Sequence, residues 1–177
     1  MQPLESRFPP AAAGVPINRS AYLRDVIGYL VETLEEVVGA SDTAGFVALV
    51  GRRIGEEIDV LYREAIGRTK LTRAEVADVL VDLQRRLGGD FYVFEQDDTR
   101  IVLGNLACPF AERVQGHATL CMTTSSLCGV ITAQNLGYAR VEIENAIAHG
   151  DAACRIVIHL VPPPPGLPAA GREYYKL

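Results

Sequence analysis

The chain has 177 residues, 49% of them apolar, with 17 basic against 22 acidic side chains and a formal charge of −5. That length supports one domain with a full hydrophobic core and terminal extensions, without disulfide staples. The acidic balance gives no general attraction for phosphate backbones or anionic membranes. No run approaches the 18 uninterrupted apolar residues of a membrane span, and the first residues lack the basic-then-apolar order of a signal peptide. A cytoplasmic location is therefore expected, where four reduced cysteines serve packing, metal or redox chemistry before disulfides.

Residues 1–16, rich in Pro and Ala, carry no apolar period and are expected to form a flexible leader. A helix is predicted from about Ser20, with Tyr22, Leu23, Val26, Ile27, Leu30, Val31, Leu34, Val37 and Val38 on one face and Gly39 as its stop. A second helix runs from Ser41 or Asp42 to about Ile66, with Phe46, Leu49, Val50, Ile54, Ile58, Leu61 and Tyr62 as its inward face. Gly51 and Gly55 share a stripe on it that admits close approach, either by another helix of the chain or by a second subunit. Thr72 to Glu75 has the form of a capping box and opens a third helix. Phe91–Glu95 and Arg100–Leu106 read as a hairpin. A fourth helix follows over about Ala118–Leu136, then two strands, Arg140–Ala146 and Ala153–Leu160, with Cys154 on the inward face. Residues 162–177 form a Pro-rich tail, a polyproline spacer leading to Tyr174 and Tyr175, which either trails or docks onto a protein partner. The expected fold is α+β, with residues 17–161 as a single domain: a layer of three helices, then an antiparallel sheet of about four strands with one inserted helix.

The chemistry-bearing residues concentrate between 105 and 128, where Cys108, Cys121 and Cys128 lie. Cys108 follows a strand, Cys121 falls in the first turn of the fourth helix, and Cys154 opens the last strand. Three thiolates from these elements can hold an iron–sulfur cluster, with one iron left to another ligand. Adding His117 completes a Cys₃His zinc site. The helix N-terminus favours the thiolate of Cys121. The spacing shows no paired C-x-x-C knuckles, so buried structural thiols stand as the alternative. Cys128, two turns beyond Cys121, belongs to the core.

Other chemistry is less supported. No Ser-His-Asp order, nucleophile elbow, dinucleotide fingerprint or P-loop occurs, so a non-enzymatic role is expected. Five positive and seven negative groups over residues 70–100 argue against a DNA-reading helix and wing. Two further readings remain. One is a metal-free small-molecule pocket lined by Thr123, Thr124, Ser125 and Tyr138; the other is an enzyme with Cys121 as nucleophile.

Several motifs in order resemble the methanogen output domain family: Val15-Pro16-Ile17, Cys108-Pro109-Phe110, Leu120-Cys121-Met122-Thr123, Asn135-Leu136-Gly137-Tyr138-Ala139, Ala148-His149-Gly150-Asp151 and Cys154-Arg155-Ile156-Val157-Ile158. The resemblance covers roughly residues 15–161 and implies a sensory or output module. A narrower likeness is to the C-terminal part of helix-turn-helix regulators that sense iron–sulfur clusters. By motif, their cluster cysteines correspond to Cys108, Cys121 and Cys154, and Cys128 stays outside the site. No DNA-binding headpiece is evident here, and the interval from Cys121 to Cys154 is filled differently. The resulting expectation is a cytoplasmic signal-transduction domain, a homodimer, with Cys108, Cys121 and Cys154 holding an iron–sulfur cluster or metal and His117 as a possible fourth partner. Zinc, or no cofactor, are the alternatives.

Overall fold

The computed structural model describes residues 14–15, 17–166 and 168–176. Most of the expected leader therefore lies outside the described residues. Helices α1 (Arg19–Val38), α2 (Ala40–Ile66) and α3 (Arg73–Arg86) precede strands β1 (Phe91–Gln96) and β2 (Arg100–Asn105). Two short 3₁₀ turns then lead into α4 (Cys121–Leu136), followed by β3 (Tyr138–Asn145), β4 (Cys154–His159) and β5 (Arg172–Tyr175). The five strands form one antiparallel sheet in the order β1-β2-β4-β3-β5. Both expected hairpins are present, and the fold is α+β with α4 inserted between them.

Local chemistry explains the boundaries. Thr72 and Glu75 close the expected capping box: Thr72 N–H donates to Glu75 Oε2 at 2.8 Å, and Glu75 N–H donates to Thr72 Oγ1 at 3.3 Å. Gly39 alone separates α1 from α2, at φ +85°, a conformation that glycine adopts without a steric penalty. The main core is built from α3, α4 and the inner sheet face, with Leu80, Phe91, Ile101, Leu103, Ile131 and Ile158 almost fully buried. Cys128 sits within it at 0% exposure, a packing residue as its helix position implied.

The first two helices bury a different face from the expected one. In α2 the buried stripe is Thr43, Ala48, Gly51, Gly55 and Asp59, whereas Phe46, Leu49, Val50, Ile54 and Leu61 are exposed. Of the apolar face, Ile58 and Tyr62 pack against the core. The cause is the close approach of α4. A Cβ at Gly51 would lie 2.9 Å from Ser126 Cβ, and one at Gly55 would lie 3.3 Å from Val130 Cβ. Small residues win because they admit a neighbouring backbone, so the glycine stripe is an intramolecular crossing and not a subunit seam. In α1 the buried residues are Gly28 and Val31, while Tyr22, Leu23, Ile27, Leu30, Val37 and Val38 stay exposed.

A buried polar knot fixes α4 against its neighbours. Asn135, fully buried, donates to Asp59 Oδ1 at 2.5 Å and to the Ile131 carbonyl at 2.8 Å, and accepts from Leu71 N–H at 2.8 Å. Asp59, 1% exposed, is balanced by Arg63 Nε at 2.8 Å. A buried carboxylate persists only with such pairing.

The tail beyond the prolines folds back onto its own sheet, where a trailing or partner-docking segment was expected. β5 pairs with β3 from Tyr138↔Tyr175 to Val141↔Arg172. Tyr174 lies over Gly129 of α4, and its hydroxyl is 2.9 Å from Ser125 Oγ. A methyl on Gly129 would meet the Tyr174 ring at 2.1 Å. Gly129→Ala gains about 1 kcal/mol of helix propensity but loses more by overpacking, about 1–3 kcal/mol. Its expected effect is release of β5, read as rapid proteolysis within residues 162–171 that the parent resists. Equal proteolysis of the two proteins would contradict this packing.

Candidate functional site

Cys108, Cys121 and Cys154 line one small pocket, together with Asn105, Phe110, Thr124 and Ile156 among others. Each thiol arrives from a separate element. Cys108 follows the end of β2, Cys121 is the first residue of α4, and Cys154 is the first of β4. Register explains part of the convergence, since Asn105 at the end of β2 pairs directly with Cys154 in β4. The glycine crossing of α2 sets the position of α4 and thereby that of Cys121.

Asn105 organises the pocket and was not singled out from the sequence. It is 2% exposed, and its Oδ1 accepts from Asp90 N–H at 3.0 Å and Ala107 N–H at 3.2 Å. Its Nδ2 points to Cys154 Sγ at 3.9 Å, a sulfur that also accepts from Ile147 N–H at 3.4 Å. One amide thus turns the chain toward Cys108 and holds Cys154 in place. An asparagine at a strand end just before a Cys-Pro is the signal that could have found it.

The pocket is apolar and holds about 20 Å³. That is room for one water-sized species. The thiol donors suit a soft ion by class. Among the described residues, however, no group of three or more His, Cys, Asp or Glu stands in an arrangement that would hold a metal ion. Burial pushes the Cys121 thiol up to about 12, with Cys108 and Cys154 adding to the rise. Desolvation, the largest cause, runs against the lowering expected of a helix N-terminus. A thiol so protonated is a poor nucleophile at neutral pH.

His117 lies elsewhere. Its Nδ1 is 2.9 Å from Glu35 Oε2 in α1, and it lines a surface pocket with Gly28, Glu32 and Arg113. Burial raises the Glu35 pKa, but hydrogen bonds from Thr119 and His117 outweigh it and hold this carboxyl below its usual value. Arg113 adds a second clamp, 2.9 Å from Asp25 and 4.3 Å over the Tyr29 ring. These contacts fasten α1 to the segment between Cys108 and Cys121. Val31 of α1 shares an apolar cluster with Val114 and Leu120, against which Cys108, Phe110 and Cys121 pack.

The other expected pocket residues are dispersed. Thr124 lines the thiol pocket and Ser125 a neighbouring cleft, while Thr123 faces Gly51. Tyr138 is held by Glu173 at 2.8 Å, with Tyr175 packed edge-on. The described helices include none long and apolar enough to cross a membrane.

The family model of methanogen output domain 1 matches residues 26–159. The chain belongs to the methanogen output domain 1 family. Its match takes in all three pocket cysteines, α2 to β4 and most of α1. No curated protein matches this methanogen output domain. Among solved structures, a trafficking protein particle complex subunit 3 from Naegleria fowleri, covalently bound to palmitic acid, superposes with a TM-score of 0.60. The match covers 79% of this chain and 93% of that one at 13% identity, a likeness of fold alone.

The protonated state of Cys121 is directly measurable. In the native protein near neutral pH, iodoacetamide should modify Cys121 at least about a hundredfold more slowly than an unperturbed thiol, as followed by quantitative peptide mass spectrometry. A rate equal to that of the denatured chain would contradict the buried position.

Proposed function

We propose that the chain is a sensory or regulatory module whose sensing element is the pocket of Cys108, Cys121 and Cys154. The observation that carries this reading is that the three thiols line one cavity, which packs against the cluster that seats α1. Three thiol donors suit a single soft ion by class. Each thiol that binds gives its proton to solvent, and the charge of the ion offsets the cost of a buried thiolate. Binding would draw Cys108 and Cys121 together and shift Phe110 and Val114 beneath Val31.

Metal analysis and absorption spectra of protein purified without oxygen test the reading. The expected result is about one equivalent of bound zinc or cadmium, with sulfur-to-metal charge transfer in the cadmium form. Serine at 108, 121 or 154 should weaken uptake at least about tenfold, whereas Cys128→Ala should not. Visible absorption from bound iron and sulfide would instead assign a cluster. Protein that takes up neither ion nor cluster would refute a metal-based sensor.

The output surface is proposed to be a homodimer contact. Leu23, Ile27, Leu30 and Val37 on α1, and Phe46, Val50, Ile54 and Leu61 on α2, leave apolar stripes 41–75% exposed. Helices of 20 and 27 residues are about 30 and 40 Å long. Stripes about 10 Å wide then offer roughly 700 Å², close to the roughly 800 Å² per partner of a standard interface. Both helices mix Arg with Asp and Glu around these stripes, a rim that a second copy can match across a twofold axis. Light scattering should give twice the chain mass, and Ile27→Glu with Ile54→Glu should return a folded monomer. A monomeric parent chain at high concentration would contradict the contact.

A further inference from the structure

A second cavity lies on the other side of Cys121, between the start of α4, β3 and the C-terminal strand. Its volume of about 540 Å³ is within the usual range for small-molecule sites, roughly 300–1,000 Å³. One wall is apolar, formed by Met122, Val141 and Ile143 with flanking alanines. The opposite wall is the returning tail, brought close by Gly171. A Cβ there would lie 2.4 Å from the Val141 carbonyl, and its φ is +94°. The cavity thus exists because β5 docks.

Its charge is one-sided. Arg172 reaches the cavity and enters no ion pair among the described residues. His149 also lines it. Among the described residues lining it, the one carboxylate, Glu142, is already engaged by Arg140 at 3.4 Å and His159 at 3.3 Å. A guanidinium beside an apolar wall matches a molecule with a carboxylate at one end and a hydrocarbon body at the other, because the planar fork binds carboxylate in bidentate fashion. One arginine fork among the described lining residues matches the single charge of a monocarboxylate. We infer that this cleft binds a small organic monocarboxylate, with Arg172 holding the carboxylate and Met122 and Ile143 the apolar body. The site goes beyond the metal reading and does not depend on it. Cys121 borders both cavities, so an acid bound here would lie beside the thiol pocket.

The test is a titration of the full chain, kept metal-free with a chelator and followed by amide chemical shifts. The probes are benzoate, phenylacetate, 3-methylbutanoate and octanoate, each paired with its primary amide. The expected result is saturable shifts at Met122, Ile143 and Gly171 for at least one acid, with its amide at least about tenfold weaker, about 1.4 kcal/mol. Arg172→Gln should weaken that acid by a similar factor. Met122→Glu, which leaves β5 intact, should do so by placing a negative charge in the apolar wall. The assignment is overturned if no acid gives saturable shifts in the cleft, if acid and amide bind alike, or if a folded variant binds as the parent does. Because metal is excluded throughout, failure here leaves the metal test standing, and the reverse also holds.

Discussion

Gly51 and Gly55 let α2 lie so close to α4 that a Cβ at either position would press on Ser126 or Val130. Most other features of the molecule depend on that contact. It places the start of α4, and with it Cys121, against the ends of β2 and β4. It also turns the bulky apolar stripe of α2 outward, since only one face of a helix can meet a neighbour so closely. The Asp59–Asn135 pair locks the crossing at its far end, where a buried charge makes any slip costly.

The thiol pocket and α1 are joined by packing and by two polar clamps. Val31 rests on the cluster that supports Cys108 and Cys121, while Asp25–Arg113 and Glu35–His117 hold the rest of the helix on the same segment. A change at the thiols therefore has a short physical route to a helix whose exposed face is apolar. Close-packed interiors transmit such displacements because they have few voids to absorb them. The same closeness explains the resting chemistry. The Cys121 thiol, buried as it is, keeps its proton until something positive displaces it.

Most of the architecture was legible in the sequence. Thr72 and Glu75 announced α3, the Phe91–Glu95 and Arg100–Leu106 runs announced the first hairpin, and sequence pattern located α1, α2 and α4. What periodicity could not reveal was which face of α1 and α2 turns inward. A hydrophobic stripe looks the same whether it meets the chain's own core or another surface, and here the glycine stripe decided the matter through backbone approach. The convergence of Cys108, Cys121 and Cys154 followed from motif likeness more than from spacing. Asn105, which ties two of their elements together, carried only a weak local signal. The docking of Tyr174 was hidden because a proline-rich spacer gives no sign of where its end will land. Its receptor, Gly129, reads as an ordinary helix glycine.

The central claim is that cysteines from three elements line one pocket, close enough to share a ligand, while Cys128 stays apart in the core. Arsenite reports this directly, because three neighbouring thiols displace its three hydroxyls as water and leave one arsenic bound to three sulfurs. Native mass spectrometry of the reduced chain should show a single arsenic adduct, lost on replacing Cys108, Cys121 or Cys154 by serine and retained in Cys128→Ala. No adduct, or an adduct that requires Cys128, would contradict the account.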